Sequence, residues 1–477
     1  MERVSMNPSN ESFRDSISTI TNEGKRRWLY PKKPKGTLYR YRTYVSYVLL
    51  ALMFSGPFIT VNGLPILLLN IVERKFILFG TIFWPQDFNV FVFLMITAIL
   101  FIVLFTSIFG RIWCGWLCPQ TIFMEMVFRK IEYFIEGDAV AQKKLNTGKG
   151  NHFLIKKLTK HIIFYLLSFL IANTFLAYII GIDELEKIIS EPIYSHISGF
   201  ITIQLFTLAF YAVFSWFREQ ACVIVCPYGR FQGVMIDENS IAVTYDFKRG
   251  EQRGKLSKEE REQKYQPDFS GWENRGDCVD CFQCVNVCPT GIDIRNGIQL
   301  ECVNCTACMD ACDSVMTKQH LPTGLIRYSS YNAIETGEKK IFTPRIIAYS
   351  VVLTLMIAVS SFFLSTRTPF EAIILRQPGT LYQTMNDSTY SNMYQYKLVN
   401  KTLQPTSFHI KIIKPEGNVS MVGKNHKLPE QGIIEGRFFA QFHKKNIQLG
   451  KTKIIFGIYS DTTQIETVYS SFIGPEK

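Results

Sequence analysis

The chain has 477 residues, 47% of them hydrophobic, and a formal net charge of +12. That length exceeds one ordinary domain, and apolar content beside a basic excess points to membrane spans separated by basic loops. The twelve cysteines fall entirely into four short groups, two of form C-x-x-C-x-x-C-x-x-x-C and two of form C-x-x-x-C-P. This is ligand spacing and not a disulfide framework, and with no cysteine after Cys312 nothing demands an oxidising compartment.

In chain order, residues 1–43 are a tail with ten Lys or Arg, carrying Pro31-Lys-Lys-Pro-Lys and almost no core-forming residue before Trp28. It reads as mostly disordered and lying near anionic membrane lipid. A bilayer core takes roughly 20 apolar residues per helix. Five stretches approach that length without an interior charge: 44–61, 90–110, 162–181 and 197–217, all within 44–217, and then 346–364, within 345–365. Pro57, Asn62, Gly63 and Pro65 interrupt the far end of the first, and 64–88 reads as a re-entrant or interfacial turn.

Positive loops stay cytoplasmic. Residues 111–161 hold nine Lys or Arg, whereas 62–89 holds only Arg74 and Lys75 and 181–196 only Lys187. The N-terminus and the segment 218–344 are therefore expected inside, and everything after 365 outside. The long basic head, with no small-residue cleavage site after the first apolar run, argues against a cleaved signal peptide.

Cys114-Gly-Trp-Leu-Cys118-Pro119 and Cys222-Val-Ile-Val-Cys226-Pro227 follow the second and fourth spans, on the same side of the membrane. If the backbone stays helical, each pair of sulfurs shares a face one turn apart. The pairs can each ligate a soft metal or join into one four-thiolate site, since thiolates select Cu(I), zinc and iron–sulfur clusters. A dithiol–disulfide couple and burial as small apolar residues are the alternatives. Met124, Met126 and Met235 are candidate thioether ligands or core packing. Arg111 and Arg230 favour thiolate or simply anchor the positive side. His161 and His196 fall at opposite membrane ends and cannot share a haem.

The densest signal is Cys278-x-x-Cys281-x-x-Cys284-x-x-x-Cys288-Pro289 followed by Cys302-x-x-Cys305-x-x-Cys308-x-x-x-Cys312, in a ferredoxin-like α+β core at about 270–328. In such runs the fourth cysteine ligates the other cluster. That rule assigns Cys278, Cys281, Cys284 and Cys312 to one [4Fe–4S] cluster, and Cys302, Cys305, Cys308 and Cys288 to the second. Zinc also takes four thiolates, and clusters that only staple a small domain are the other alternative. Three tight steps with a remote fourth ligand favour cubanes, and two of them suggest a path for electrons. The stretch 249–264 is charged and poor in apolar residues, a solvated linker or a docking surface.

From 369 to 477 short alternating strands take over, such as Phe408/Ile410/Ile412, Phe438/Ala440/Phe442 and Ile454/Phe456/Ile458. About seven strands in roughly 100 residues fit an all-β immunoglobulin-like sandwich. His409, His426 and His443 read as scattered surface histidines. The fold class is thus a multi-domain membrane protein of about five transmembrane helices, an inserted dicluster ferredoxin-like domain and this sandwich.

FWPQDF (83–88), RIWCGWLCPQT (111–121), CPYGRFQ (226–232), VCPTGIDIRNGIQLECVNCTACMDACDSVM (287–316) and GLIRY (324–328) together resemble the cytochrome c oxidase accessory protein family known as CcoG, FixG or RdxA. The resemblance covers nearly the whole chain after the tail, and Asp313, where soluble ferredoxins usually have proline, is usual in it. It implies a multi-pass protein of the bacterial inner membrane with a periplasmic sandwich. It also implies help in assembling a cbb-type cytochrome oxidase through reduction of Cu(II) to Cu(I), so that the partners are oxidase assembly components and an unidentified electron donor, with no nucleic acid. Copper bound by Cys114, Cys118, Cys222 and Cys226 would be the electron acceptor. Two rival functions are a quinol-linked relay to a periplasmic reductase and a non-redox assembly scaffold.

Overall fold

The computed structural model describes residues 18–20, 23–71, 75–83, 88–148, 153–257, 260, 262, 275–366, 368–379, 381–386, 388–402, 404–423, 427–448, 450–460 and 463–475. The chain divides into two units, Met1–Ser360 and Ser361–Lys477.

The described part of the basic tail is not disordered. The Ser18 hydroxyl donates to the Thr290 carbonyl at 2.7 Å, the Lys32 N–H to the Asn286 carbonyl at 2.8 Å and the Lys33 N–H to the Asp138 carboxylate at 2.8 Å. The Tyr133 hydroxyl donates to the Pro31 carbonyl at 3.0 Å. These partners are distant in sequence, so local composition carries no trace of them. Residues 1–17 lie outside the described residues.

Helix α1 spans Thr37–Ser55. Among the described residues four helices are long and apolar enough to cross a membrane, Asn89–Phe109, Phe153–Ile180, Ile197–Phe217 and Pro344–Ser365, against five expected. The first expected stretch, 44–61, lies largely on α1, which falls below that apolar measure because Arg40, Arg42, Thr43 and Ser46 raise its polarity. Arg42 and Ser46 are buried, so they meet protein and not lipid. At its start Asp310 accepts the Leu38 and Tyr39 N–H groups at 3.2 and 2.7 Å. At its end the Tyr178 hydroxyl donates to the Met53 carbonyl at 2.8 Å.

The segment expected as a re-entrant or interfacial turn forms a β-meander. Strands β1 (Leu67–Asn70), β2 (Lys75–Leu78) and β3 (Thr81–Phe83) pair antiparallel and bury Leu68, Ile77 and Ile82. Phe79 and Gly80 both take positive φ, 50° and 75°, which gives the two-residue hairpin turn that matches strand twist. Most of the FWPQDF motif, residues 84–87, lies outside the described residues.

Helices α2 (Phe88–Phe109), α3 (Phe153–Ile180) and α4 (Ile197–Ala212) follow, α4 running on as a π-helix over Val213–Phe217. Polar groups pair across helices: Tyr165 donates to Gln204 at 2.7 Å, and the Tyr211 hydroxyl meets His161 Nδ1 at 2.8 Å. Such bonds replace the solvation that lipid cannot supply.

The inserted module is framed by β4 (Ala242–Tyr245) and β5 (Ile326–Ser329), antiparallel with Val243 opposite Tyr328. Helix α5 (Ala307–Lys318) lies between them in sequence, and α6 (Pro344–Ser365) returns to the membrane. Thr97 on α2 meets Ser360 on α6 at 2.9 Å between hydroxyls.

The second unit is a two-sheet sandwich. One sheet has the order β9 (Asn418–Val422), β10 (Ile433–His443), β7 (Thr389–Asn400), β6 (Phe370–Arg376), and the other β8 (His409–Lys414), β11 (Lys451–Ser460), β12 (Thr463–Ile473). Alternate residues point inward, Tyr394, Tyr396 and Leu398 meeting Phe438, Ala440, Phe442, Ile454, Phe456 and Ile458. His409 stacks on Tyr459 and His443 accepts from the Lys445 N–H. His426 lies outside the described residues.

Candidate redox site

Two hollows lie side by side in the inserted module. Cys278, Cys281, Cys284 and Cys312 line the outer one, with Tyr245, Phe282, Arg295 and Met316. Cys288, Cys302, Cys305 and Cys308 line the inner one, with Val243, Ile292, Ile294 and Cys284. Cys281 is exposed, whereas Cys278, Cys284 and Cys305 are buried.

The loops that carry the cysteines repeat one backbone pattern. Asp280 and Phe282 take φ of 49° and 57°, and Asn304 and Thr306 take 52° and 65°. In both loops a left-handed residue thus precedes the second cysteine and another follows it. Asn and Asp tolerate that region, but Phe and β-branched Thr do not favour it, and such strain is retained where it shapes a site. Alternation of this kind turns successive backbone N–H groups toward one concave side, a nest for an anionic group.

Burial pushes the Cys284 and Cys302 thiols up to about 12 and Cys305 up to about 11, and raises Cys308 and Cys312 further. Four thiols around a dry hollow are the donor set of a cubane, which expels their protons on binding. The residues therefore fit the group. Among the described residues no three His, Cys, Asp or Glu side chains converge on a single ion, and this includes Cys114, Cys118, Cys222 and Cys226.

The two C-x-x-x-C-P elements do not continue as helices through the second cysteine, contrary to the one-face expectation. Cys114 lies in the turn Ile112–Trp116, while Cys118 is extended, φ −64°, ψ 123°, and caps the turn starting at Pro119. Cys222 lies in the π-turn Ala221–Val225, and Cys226, φ −65°, ψ 111°, caps Pro227–Met235. Proline excludes the preceding residue from the helical region, so each C-P step ends one helix and starts another. π-Turns of this kind gather at functional sites.

The break leaves the two pairs within electrostatic reach of each other but not gathered around one point. Burial raises Cys114 to about 11 and Cys222 to about 12, and the next contributions come from the other cysteines of this quartet, Cys118 on both and Cys114 on Cys222. Cys114 donates to Gln232 Oε1 at 3.3 Å. Gln232 is fully buried and its Nε2 has no hydrogen-bond partner. Cys114 also packs in one apolar cluster with Cys305 and Cys308, so this quartet abuts the inner hollow. Gly115 makes the approach possible: a Cβ there would stand 2.5 Å from the Val303 carbonyl oxygen and 2.6 Å from that of Asn304.

A buried ionic network fixes the two elements against each other. Arg129, 1% exposed, meets Glu125 at 3.3 Å and Glu219 at 3.4 Å. Arg218 meets Glu132 at 2.6 Å, and Lys160 meets Glu136 at 2.9 Å. Burial works against the Glu132 carboxylate, but Arg218 and Lys160 outweigh it and hold its pKa low. Of the candidate thioethers, Met124 sits in the aromatic core with Phe128 and Phe164, while Met126 contacts the Thr43 hydroxyl and Met235 the Arg345 guanidinium. His161 is taken by Tyr211 and His196 by Glu191. Arg111 is buried, whereas Arg230 is exposed.

Residues 217–331 match the family described as the 4Fe-4S dicluster domain, 91–145 the 4Fe-4S binding domain, and 361–475 the IG-like fold at the C-terminal of FixG. Over 409 residues the chain is 34% identical to protein RdxB of Cereibacter sphaeroides, spanning 81% of this chain and 82% of that protein. It belongs to the FixG family. The nitrogen fixation protein FixG of Rhizobium meliloti is 31% identical over 418 residues, 79% of this chain and 77% of that one. Protein RdxA of C. sphaeroides is 31% identical over 408 residues, 80% of this chain and 82% of that one. A crystal structure of a FixG-related protein from Vibrio parahaemolyticus aligns with 22% of this chain and 97% of that one, at 20% identity and a TM-score of 0.19.

This FixG-family chain is a membrane iron–sulfur protein with two 4Fe-4S binding domains. Reading by cysteine spacing missed Gln232, Arg42 and Gly115. CPYGRFQ and RIWCGWLCPQT contain the first and the last, but only the packing shows what they do.

Proposed function

We propose that this protein passes electrons through two [4Fe–4S] clusters to Cu(II) held at the membrane edge, and so assists assembly of a cbb-type cytochrome oxidase. Cys278, Cys281, Cys284 and Cys312 hold the outer cluster, and Cys288, Cys302, Cys305 and Cys308 the inner one. Cys114, Cys118, Cys222 and Cys226 hold the copper substrate. The observation that carries this reading is that Cys114 packs against the apolar cluster of Val287, Val303, Cys305 and Ala307, as Cys308 does, which puts the quartet beside the inner hollow.

The bound clusters supply one-electron relay chemistry. The protein's residues do the rest: the quartet binds copper, thiolate ligation favours the Cu(I) product, and the apolar surround keeps water away. One electron converts one Cu(II) to Cu(I), and the donor, still unidentified, is oxidised correspondingly. The Lys and Arg distribution supports a cytoplasmic N-terminus and module, with the sandwich in the periplasm and the membrane being the bacterial inner one.

Replacing Cys114, Cys118, Cys222 and Cys226 together by Ser tests the copper site: bound copper should fall to background while cluster iron is retained. Undiminished copper would sink the assignment.

Copper uptake should also release protons, because the Cys114 and Cys222 thiols are raised to about 11 and about 12 and are protonated at neutral pH. Affinity should rise with pH, roughly tenfold per unit for each thiol proton displaced. Calorimetry in buffers of different ionisation enthalpy reads that release, and a pH-independent affinity would contradict thiolate ligation.

A further inference from the structure

The two hollows differ in the charges set around them. Beside the inner one, Arg42 and Arg111 are 2% and 6% exposed, and both donate to backbone carbonyls. Arg42 Nε donates to Gly115 at 2.6 Å, and Arg111 donates through Nη1 to Leu300 and through Nη2 to Gly229. Each also keeps a buried nitrogen without a hydrogen-bond partner, Nη2 of Arg42 and Nε of Arg111. Arg42 lines a small cavity with Cys305, while Arg111 grips the loop two residues before Cys302. Glu125 shares that cavity but is ion-paired with Arg129 at 3.3 Å.

Around the outer hollow the balance is reversed. Arg295 lines its wall but is matched by Asp280 at 2.5 Å and Asp293 at 2.6 Å, and Asp313 directly follows Cys312 in sequence. Asp310, between Cys308 and Cys312 on α5, turns its carboxylate to the N-terminus of α1.

Net charge around an iron–sulfur cluster sets its potential, because reduction adds a negative charge. From this asymmetry we infer that Arg42 and Arg111 raise the reduction potential of the inner cluster above that of the outer one, so that electrons run inward from the exposed Cys281 edge to the four-thiol site. The inference rests on the cluster ligation proposed above and adds a direction to it. Burial alone works the other way, since the more negative reduced state is better solvated near the surface. A unit charge a few ångströms away, at an effective dielectric of about 20, shifts a one-electron equilibrium by roughly tenfold or more, and two uncompensated ones outweigh a single exposed sulfur. Arg42 and Arg111 are positioning residues in this account, acting through the field and not by touching the copper.

Equilibrium redox titration of the anaerobically purified full chain, followed by EPR, tests it. Two separate midpoints are expected. Arg42→Met should lower the higher one by about tenfold in equilibrium constant, ~59 mV for a one-electron couple, and leave the other in place, while Arg42→Lys should retain most of the wild-type value. Arg295→Met should lower the other midpoint, and Arg111→Met should repeat the Arg42→Met result if that variant does not fold. An unmoved midpoint in the folded Met variants of Arg42 and Arg111, equal movement of both, or movement of the lower one would overturn the inference. Loss of copper reduction with both midpoints as in wild type would instead strike the copper reading and leave this one standing.

Discussion

Gly115→Ala is expected to leave both clusters and the quartet in place but to slow electron transfer to Cu(II) several-fold, because tunnelling rates fall exponentially as donor and acceptor are moved apart. The added methyl would meet backbone oxygens, those of Val303 and Asn304 at 2.5 and 2.6 Å, and backbone cannot swing aside as a flexible side chain can. The loop carrying Cys302 and Cys305 must therefore retreat from the turn carrying Cys114. Over-packing of this kind also costs about 1–3 kcal/mol, so stability should fall modestly while cluster content holds. Stopped-flow reoxidation of the reduced clusters by Cu(II) reads the rate, and an unchanged rate would mean that electrons do not cross at this contact.

Arg129→Met should be the most destabilising of the substitutions considered, by about 3–5 kcal/mol, because it strands the largely buried Glu125 carboxylate without its cation and leaves Glu219 to Arg26 and Arg218 alone. Glu125 and Glu219 lie at 3.3 and 3.4 Å from Arg129, and Glu219 precedes Cys222 by one short turn. Lost registry between the two C-P elements should accompany lost stability. Thermal unfolding in detergent measures the first and copper stoichiometry the second. Adding Glu125→Gln to Arg129→Met should recover part of the loss, since Glu125 has no other ion-pair partner among the described residues and removing both partners of a buried pair costs less than removing one. A strictly additive double variant would show that the network is not coupled.

What sequence could disclose divides along physical lines. Cysteine spacing is set by the geometry of a cluster-binding loop, so which cysteines share a hollow followed from it. Alternation in the sandwich is set by the pleat, so Phe438, Ala440 and Phe442 were readable as inward-facing. Where a residue's neighbours come from elsewhere in the chain, the pattern failed. Arg42, near the start of α1, is buried against the Gly115 carbonyl, a partner 73 residues away that local composition does not reveal. The tail at Lys32 and Lys33 is held by Asn286 and Asp138, invisible in a Pro-Lys run. The spacing of four in each C-x-x-x-C-P element suggested one helix face, and the proline that follows should have argued against it. The proximity of the two pairs depends on Arg129 and Glu219, ninety residues apart, which no local pattern contains.

The most direct test of the central claim is anaerobic reduction of the purified protein with dithionite, removal of excess reductant, and addition of Cu(II) with a Cu(I)-specific chelator while the clusters are followed by EPR. Cluster reoxidation and Cu(I) appearance should run together, one electron to one copper, and both should fail when Cys114, Cys118, Cys222 and Cys226 are Ser although the clusters still reduce. Reduced clusters that ignore copper and are reoxidised by a quinone would contradict the account and turn the chain into a quinone-linked relay.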